Sequence, residues 1–204
     1  MGNADLGRAV AHYRDLAPRY DYFTRRINRI RERTIEALRL EPGETVLDAG
    51  CGTGWCVPKL AARVGPAGRV IGFDPSPEML AIAHARPGAE NAVLLEDAAE
   101  SVRLPAAPDA ILLSYTHDLI RSRKALDNLL GQARRGCRVA ATSTKLYAPW
   151  LFPANWYLRI THRAYITNFE SFATPWSLLA EYLEDFRVET GPTTQHYVAT
   201  GKVR

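Results

Sequence analysis

Three cysteines stand in the 204-residue chain, Cys51, Cys56 and Cys137, and no C-x-x-C pair joins any of them. An odd count without pairing argues against a disulfide framework and a structural zinc site. No His, Cys, Asp and Glu cluster has metal-ligand spacing either, so no metal is expected. No apolar run approaches the roughly 20 residues that cross a bilayer. The opening residues, MGNADLGRAVAHYRDL, lack the apolar stretch of a signal peptide, and a cytoplasmic protein is expected. Internal repeats, low-complexity tracts and a composition break are also missing. The expectation is one domain over residues 1–204, long enough for a full core.

Hydrophobic residues make up 47% and charged residues 24%, the balance of a soluble globular chain. The net charge is +4. Much of it comes from Arg19, Arg25, Arg26, Arg29, Arg31, Arg33 and Arg39. Such a run reads as a solvated helix face, or as a patch for nucleic acid or an anionic membrane.

Helical spacing predicts a first helix over about Ala4 to Leu16 and a second over about Asp21 to Leu38. In the second, Phe23, Ile27, Ile30, Thr34 and Leu38 form the apolar stripe. Strands and helices then alternate, which implies a mainly parallel sheet. Strands are predicted at Thr45 to Asp48, Arg69 to Phe73, Ala92 to Leu95, Asp109 to Ser114 and Cys137 to Thr142. Helices are predicted from about Trp55 to Arg63, from Ser76 as N-cap to about Ala85, and from about Arg123 to Arg134 with Gly136 at C′. An aromatic stretch without clean period follows, with Tyr147, Trp150, Phe152, Trp156, Tyr157, Tyr165, Phe169 and Phe172. Thr174 and Pro175 open a short helix to about Leu183. Phe186 to Glu189 and Tyr197 to Val203 read as strands of a closing antiparallel hairpin.

The most informative stretch is Val46-Leu47-Asp48-Ala49-Gly50-Cys51-Gly52-Thr53-Gly54. A buried strand runs into a glycine-rich turn, and a helix follows. Glycines let the backbone turn sharply and a ligand lie against it. Open α/β sheets bind nucleotides at such turns, at the carboxyl ends of their strands. The spacing is G-x-G-x-G, not the dinucleotide G-x-G-x-x-G, and no Gly-Lys-Ser/Thr follows. VLDAGCGTG resembles motif I of the class I S-adenosylmethionine-dependent methyltransferases. The resemblance implies an α/β fold with a Rossmann-like seven-stranded sheet, helices on both faces, an antiparallel last hairpin and an N-terminal helical cap. It divides the domain into a cap (1–40), a cofactor-binding core (44–143), an aromatic acceptor lid (144–174), and a last helix with hairpin (175–204). The implied cofactor is S-adenosyl-L-methionine.

The candidate cofactor residues are Tyr20, Asp48, Gly50, Gly52, Gly54, Asp74, Met79, Asp97, Ala98 and Ser114. Asp74 ends the second strand roughly 20 residues past the glycine loop, where an acid takes ribose hydroxyls. Met79 either packs on an adenine or fills the core. Glu96-Asp97-Ala98 resembles the family's adenine-contacting turn, with Asp97 accepting from the amino group. Asp48 and Gly50 fall near the methionine end, Asp48 for its ammonium. The tract His12-Tyr13, Ala17, Arg19-Tyr20-Asp21 resembles a segment preceding motif I in small-molecule methyltransferases. Tyr20 there contacts the methionine moiety or only packs the cap. Cys51 is read as packing, not as a reactive thiol.

The acceptor is expected beyond the fourth strand, in Leu113-Ser114-Tyr115-Thr116-His117-Asp118. His117 is the candidate base, since an imidazole titrates near neutral pH, with Asp118 orienting it. The alternative is that His117 bonds to backbone and Asp118 caps a turn. His196 precedes the last strand and has a weaker case. Tyr115, Trp150, Trp156, Tyr157 and Trp176 are the candidate acceptor-pocket residues, for stacking or for a cationic nitrogen; some are expected to be core instead. Asn/Asp-Pro-Pro-Tyr, which holds a planar amide or amine in other members, is replaced here by Ser-Tyr-Thr-His, against nucleobase or glutamine substrates. No RNA-binding module is appended. The chain also resembles the small methyltransferases of quinone biosynthesis and of phospholipid headgroup N-methylation. The expected function is methyl transfer to a small aromatic or amphiphilic acceptor. The alternatives are phospholipid headgroup methylation at a membrane surface, RNA methylation, and a non-catalytic cofactor-binding module.

Overall fold

The computed structural model describes residues 16–88, 91–161 and 172–204. The predicted helix over Ala4 to Leu16, and Tyr165 and Phe169, lie essentially outside these residues. The strands are β1 Thr45–Ala49, β2 Arg69–Asp74, β3 Ala92–Glu96, β4 Ala110–Ser114, β5 Arg138–Thr144, β6 Leu183–Thr190 and β7 His196–Val203. The helices are α1 Tyr20–Thr24, α2 Asn28–Ala37, α3 Val57–Val64, α4 Pro77–His84, α5 Arg123–Gly131, α6 Phe152–Thr161 and α7 Ser177–Ala180. The strands form one seven-stranded sheet in the order β3-β2-β1-β4-β5-β7-β6. Strands β1 to β5 pair in parallel, and β7 runs antiparallel to both β5 and β6.

Strand β1 lies inside the sheet between β2 and β4 and is covered on both faces, so it reads as a nearly continuous apolar run. Alternation divides its side chains between two cores. Val46 joins Val70, Ala110, Leu112 and Ala140 under Ile35 of α2, Leu38 just past its end, and Leu60 and Val64 of α3. Leu47 and Ala49 join Ile71, Phe73, Ile111, Leu113, Val139 and Ala141 under Leu126 and Leu129 of α5 and Leu179 of α7. Each strand thereby contributes alternate residues to each face, and its carboxyl end emerges between the two layers.

The second predicted helix is broken. A 3-10 turn over Arg25–Ile27 separates α1 from α2. Three residues per turn, not 3.6, shifts the phase of everything before it. The stripe therefore fails at its start: Phe23 is 56% exposed, while Ile35, absent from the predicted stripe, is fully buried. Two other local expectations are corrected. Helix α5 ends at Gly131, and Gly136 instead occupies a left-handed turn (φ 76°) just before β5. The aromatic stretch contains a helix, α6, preceded by a 3-10 turn over Pro149–Leu151. By contrast Ser76 caps α4 as expected, its hydroxyl accepting from Met79 N with proline in the first turn.

Candidate active site

Gly50, Gly52 and Gly54 all have positive φ, 67°, 54° and 70°. The loop needs this freedom to reverse between β1 and α3. At Gly54 there is a second demand: an added Cβ would lie 2.8 Å from the Cβ of Ala83, so the loop seats directly on α4. The loop is fixed from beneath by Cys51, whose N–H donates to Phe73 O at 2.9 Å. Cys51 is buried, as a packing residue should be.

Asp74 holds the loop from the side. Its Oδ2 accepts from Gly52 N and its Oδ1 from Ser76 N, each at 2.9 Å. Each carboxylate oxygen keeps a further lone pair for a hydroxyl donor. Burial pushes the Asp74 pKa up, and the two backbone donors oppose that rise. At the end of β3, Asp97 Oδ1 accepts from Ala98 N at 2.7 Å and from Ser101 Oγ at 2.5 Å. Met79 is buried on α4.

A narrow cavity of about 30 Å³ opens beside the loop, lined by Tyr20, Arg31, Asp48, Gly50, Gly52, Trp55 and Ser114 among others. Three sequence candidates thus meet at the glycine loop: Tyr20, Asp48 and Ser114. Asp48 is 2% exposed, and its Oδ2 has no hydrogen-bond partner among the described residues. Burial raises its pKa to about 7, against the lowering effect of Arg31 and with a further upward push from Asp74. An uncompensated carboxylate oxygen under a glycine loop is costly unless something cationic meets it.

Arg31 is the residue that sequence reading missed. It is one of the seven arginines that make the segment basic, yet it is 5% exposed. Its guanidinium lies 5.9 Å from the Tyr20 ring, 5.4 Å from Trp55 and 5.6 Å from Tyr115. Nη1 donates to Asn28 Oδ1 and Thr24 Oγ1 at 3.2 and 3.3 Å. The signal was present: Arg31 falls four residues after Ile27 and three before Thr34, inside the apolar stripe. Asp21 adds a second tie between cap and loop. Its carboxylate accepts from Thr53 Oγ1 at 2.7 Å and from Arg86 Nη2 at 2.5 Å, while Arg86 Nε donates to Thr53 O at 2.9 Å. Cap, glycine loop and the residues after α4 close one ring of contacts.

At the end of β4 the chain changes sides. Ser114 has the parity of Ala110 and Leu112, on the α2/α3 face. Tyr115 follows in a left-handed conformation, φ 61°, unusual for a residue with a side chain. His117 then meets Ser143 on the α5/α7 face, Nδ1 to Oγ at 2.6 Å, and stacks on Phe172 at 5.7 Å. Ser143, not Asp118, is therefore the neighbour that positions the His117 ring; Asp118 instead starts the 3-10 turn Leu119–Arg121. Tyr115 Oη lies 3.0 Å from His196 Nδ1, a pairing the sequence did not reveal.

The predicted aromatic pocket is only partly assembled. Trp176 packs edge-on against the buried Tyr197 at 4.7 Å. It also lines a cleft of about 340 Å³ together with Lys145, Tyr147, Thr190 and Pro192. Trp150, Trp156 and Tyr157 are absent from that lining. They stand 68%, 68% and 67% exposed on α6 and the turn before it, because α6 turns these residues outward and buries Leu158.

Residues 46–139 match the family model described as a methyltransferase domain. The chain is 32% identical over 116 residues to an arsenite methyltransferase of Halobacterium salinarum, covering 54% of this chain. It is 38% identical over 73 residues to a demethylmenaquinone methyltransferase of Lactobacillus johnsonii, covering 33%. Each match spans 30% of the relative's own length. Among solved structures, the N-methyltransferase NodS of Bradyrhizobium japonicum in complex with S-adenosyl-L-homocysteine superposes with a TM-score of 0.58. That match has 18% identity and covers 85% of this chain and 86% of the other.

Proposed function

We propose, from the premise that this chain carries a class I S-adenosylmethionine-dependent methyltransferase domain, that it transfers a methyl group to a small aromatic or amphiphilic acceptor. The observation that carries the reading is the exit of β4. That exit brings Ser114 to the glycine-loop cavity and, three residues on, His117 to Ser143 of β5.

The residues suit the cofactor. Asp48 has an unpartnered buried oxygen for its ammonium, and Arg31 a buried guanidinium for its carboxylate. Asp74 takes ribose hydroxyls, Asp97 an adenine amino group, and Met79 the ring face. When bound, the cofactor supplies an already activated methyl on a sulfonium. What the protein must add is position and dryness. Tyr20 and Arg31 from the cap and Trp55 after the glycine loop line the cavity and are placed to exclude water. His117 receives a proton where the acceptor must lose one, and Ser143 holds the ring for that task. Asp118 is not needed for this role.

Labelled methyl transfer from S-adenosylmethionine into cell extract, split into organic-soluble, aqueous small-molecule and acid-precipitable fractions, tests the reading. Label in a small-molecule fraction, lost in Asp74→Ala, is expected. Label confined to the precipitable fraction refutes it.

One observation favours a second reading, action at a membrane surface. Trp150, Phe152, Trp156, Tyr157 and Ile160 are all exposed along α6 and the turn before it, alongside Arg159. Aromatic rings with a cationic neighbour suit a lipid interface. The face expected for this role, the arginine helix, is weaker: Arg31 turns inward and Arg33 pairs with Glu189 at 3.0 Å. No helix among the described residues is long and apolar enough to span a bilayer. Sedimentation with anionic vesicles, with and without Trp150→Ala and Trp156→Ala together, decides this.

A further inference from the structure

Lys145 follows the last residue of β5, and its N–H donates to Gln195 O at 2.8 Å, which carries the ladder one residue past the strand. Side chains two positions apart leave a sheet on the same side. Lys145 thus shares its side with Ser143, the residue that holds His117. It is 5% exposed, an unusual place for an ammonium. Three donors are available on that group, and one is used, toward Leu146 O at 3.0 Å. No carboxylate pairs with it among the described residues. Burial accordingly depresses its pKa. Its surroundings are a cleft of about 340 Å³ bounded by Tyr147, Trp176, Thr190 and Pro192, room for a single-ring molecule with substituents.

We propose that this cleft is a binding site for an aromatic molecule bearing an oxyanion, a carboxylate or a phosphate ester, with the Lys145 ammonium meeting the anion and Trp176 and Tyr147 bounding the ring. The two unused donors of Lys145 then find acceptors, and the cost of burying the amine is offset by the ion pair it makes. The inference deepens the acceptor reading and rests on it only for turning the reactive atom toward His117. Binding itself requires no methyl transfer.

The test uses two probes of matched shape, 4-hydroxybenzoate and the uncharged 4-hydroxybenzyl alcohol. Each is titrated by ligand-observed NMR into the full chain without S-adenosylmethionine. Wild type should bind the benzoate roughly 10- to 100-fold more tightly, the worth of a charge-assisted hydrogen bond. Lys145→Met should erase the preference while leaving the alcohol's affinity unchanged, and Lys145→Arg should retain most of it. Circular dichroism confirms that each variant folds. Equal affinities in wild type, a preference that survives in Lys145→Met, or no saturable binding of either probe at millimolar concentration would overturn the proposal. A chain that binds the benzoate but methylates nothing would refute the proposed activity and leave this site standing.

Discussion

Replacing Asp48 by asparagine isolates the cost of the buried carboxylate. The side chain is almost fully buried and its pKa stands at about 7 in the folded protein. In the unfolded chain it returns to about 3.9. Between those values the folded state holds a proton that the unfolded state has lost, so stability falls as pH rises from about 4 to about 7. Above 7 the loss is complete, about 4 kcal/mol at about 1.4 kcal/mol per unit. Asparagine has the same shape and no such titration. Urea unfolding of both proteins at pH 5, 6, 7 and 8 cancels every other acid they share. The stability of Asp48→Asn relative to wild type should climb by about 2.5 to 3 kcal/mol from pH 5 to pH 8. Any fixed cost of burying the amide shifts the whole line without changing its slope. A flat difference across that range would refute the argument.

Four further outcomes follow from the site. S-Adenosylmethionine affinity, read by calorimetry, should fall about tenfold per unit as pH drops below about 7, because its ammonium needs Asp48 ionised. His117→Gln should lower kcat by about 10²- to 10⁴-fold for acceptors that must lose a proton and leave cofactor affinity unchanged. Asp21→Ala should speed cofactor dissociation in stopped-flow, since it removes the acid that both Thr53 Oγ1 and Arg86 meet. Gly54→Ala should lower stability by about 1–3 kcal/mol in thermal unfolding, from the left-handed φ and the contact with Ala83.

The sheet was legible because burial on two faces writes a continuous apolar code, and β1, β2 and β3 each end at a glycine or an acid that can be read locally. Asp48, the glycine loop, Asp74 and the Ser76 cap follow from that code. Arg31 was not legible in the same way. A 3-10 turn over Arg25–Ile27 reset the helical phase, and seven arginines in one segment concealed the one that faces inward. The His196 pairing with Tyr115 spans 81 positions and has no local signature. The aromatic stretch misled because composition cannot say which side of a helix is covered: Trp150 and Trp156 look outward, while Trp176 finds Tyr197.

Tyr115 bears a consequence for how the two halves of the site communicate. Asp48 and Arg31 lie on one face of the sheet, and His117, Ser143 and Lys145 on the other. Groups so separated behave as independent energetic units, and their substitutions add. Tyr115 spans the divide, its ring 5.6 Å from the Arg31 guanidinium and its hydroxyl 3.0 Å from His196. A substitution at His196 therefore has a physical route to the Arg31 side of the sheet, through the hydroxyl and ring of one residue held in a left-handed conformation.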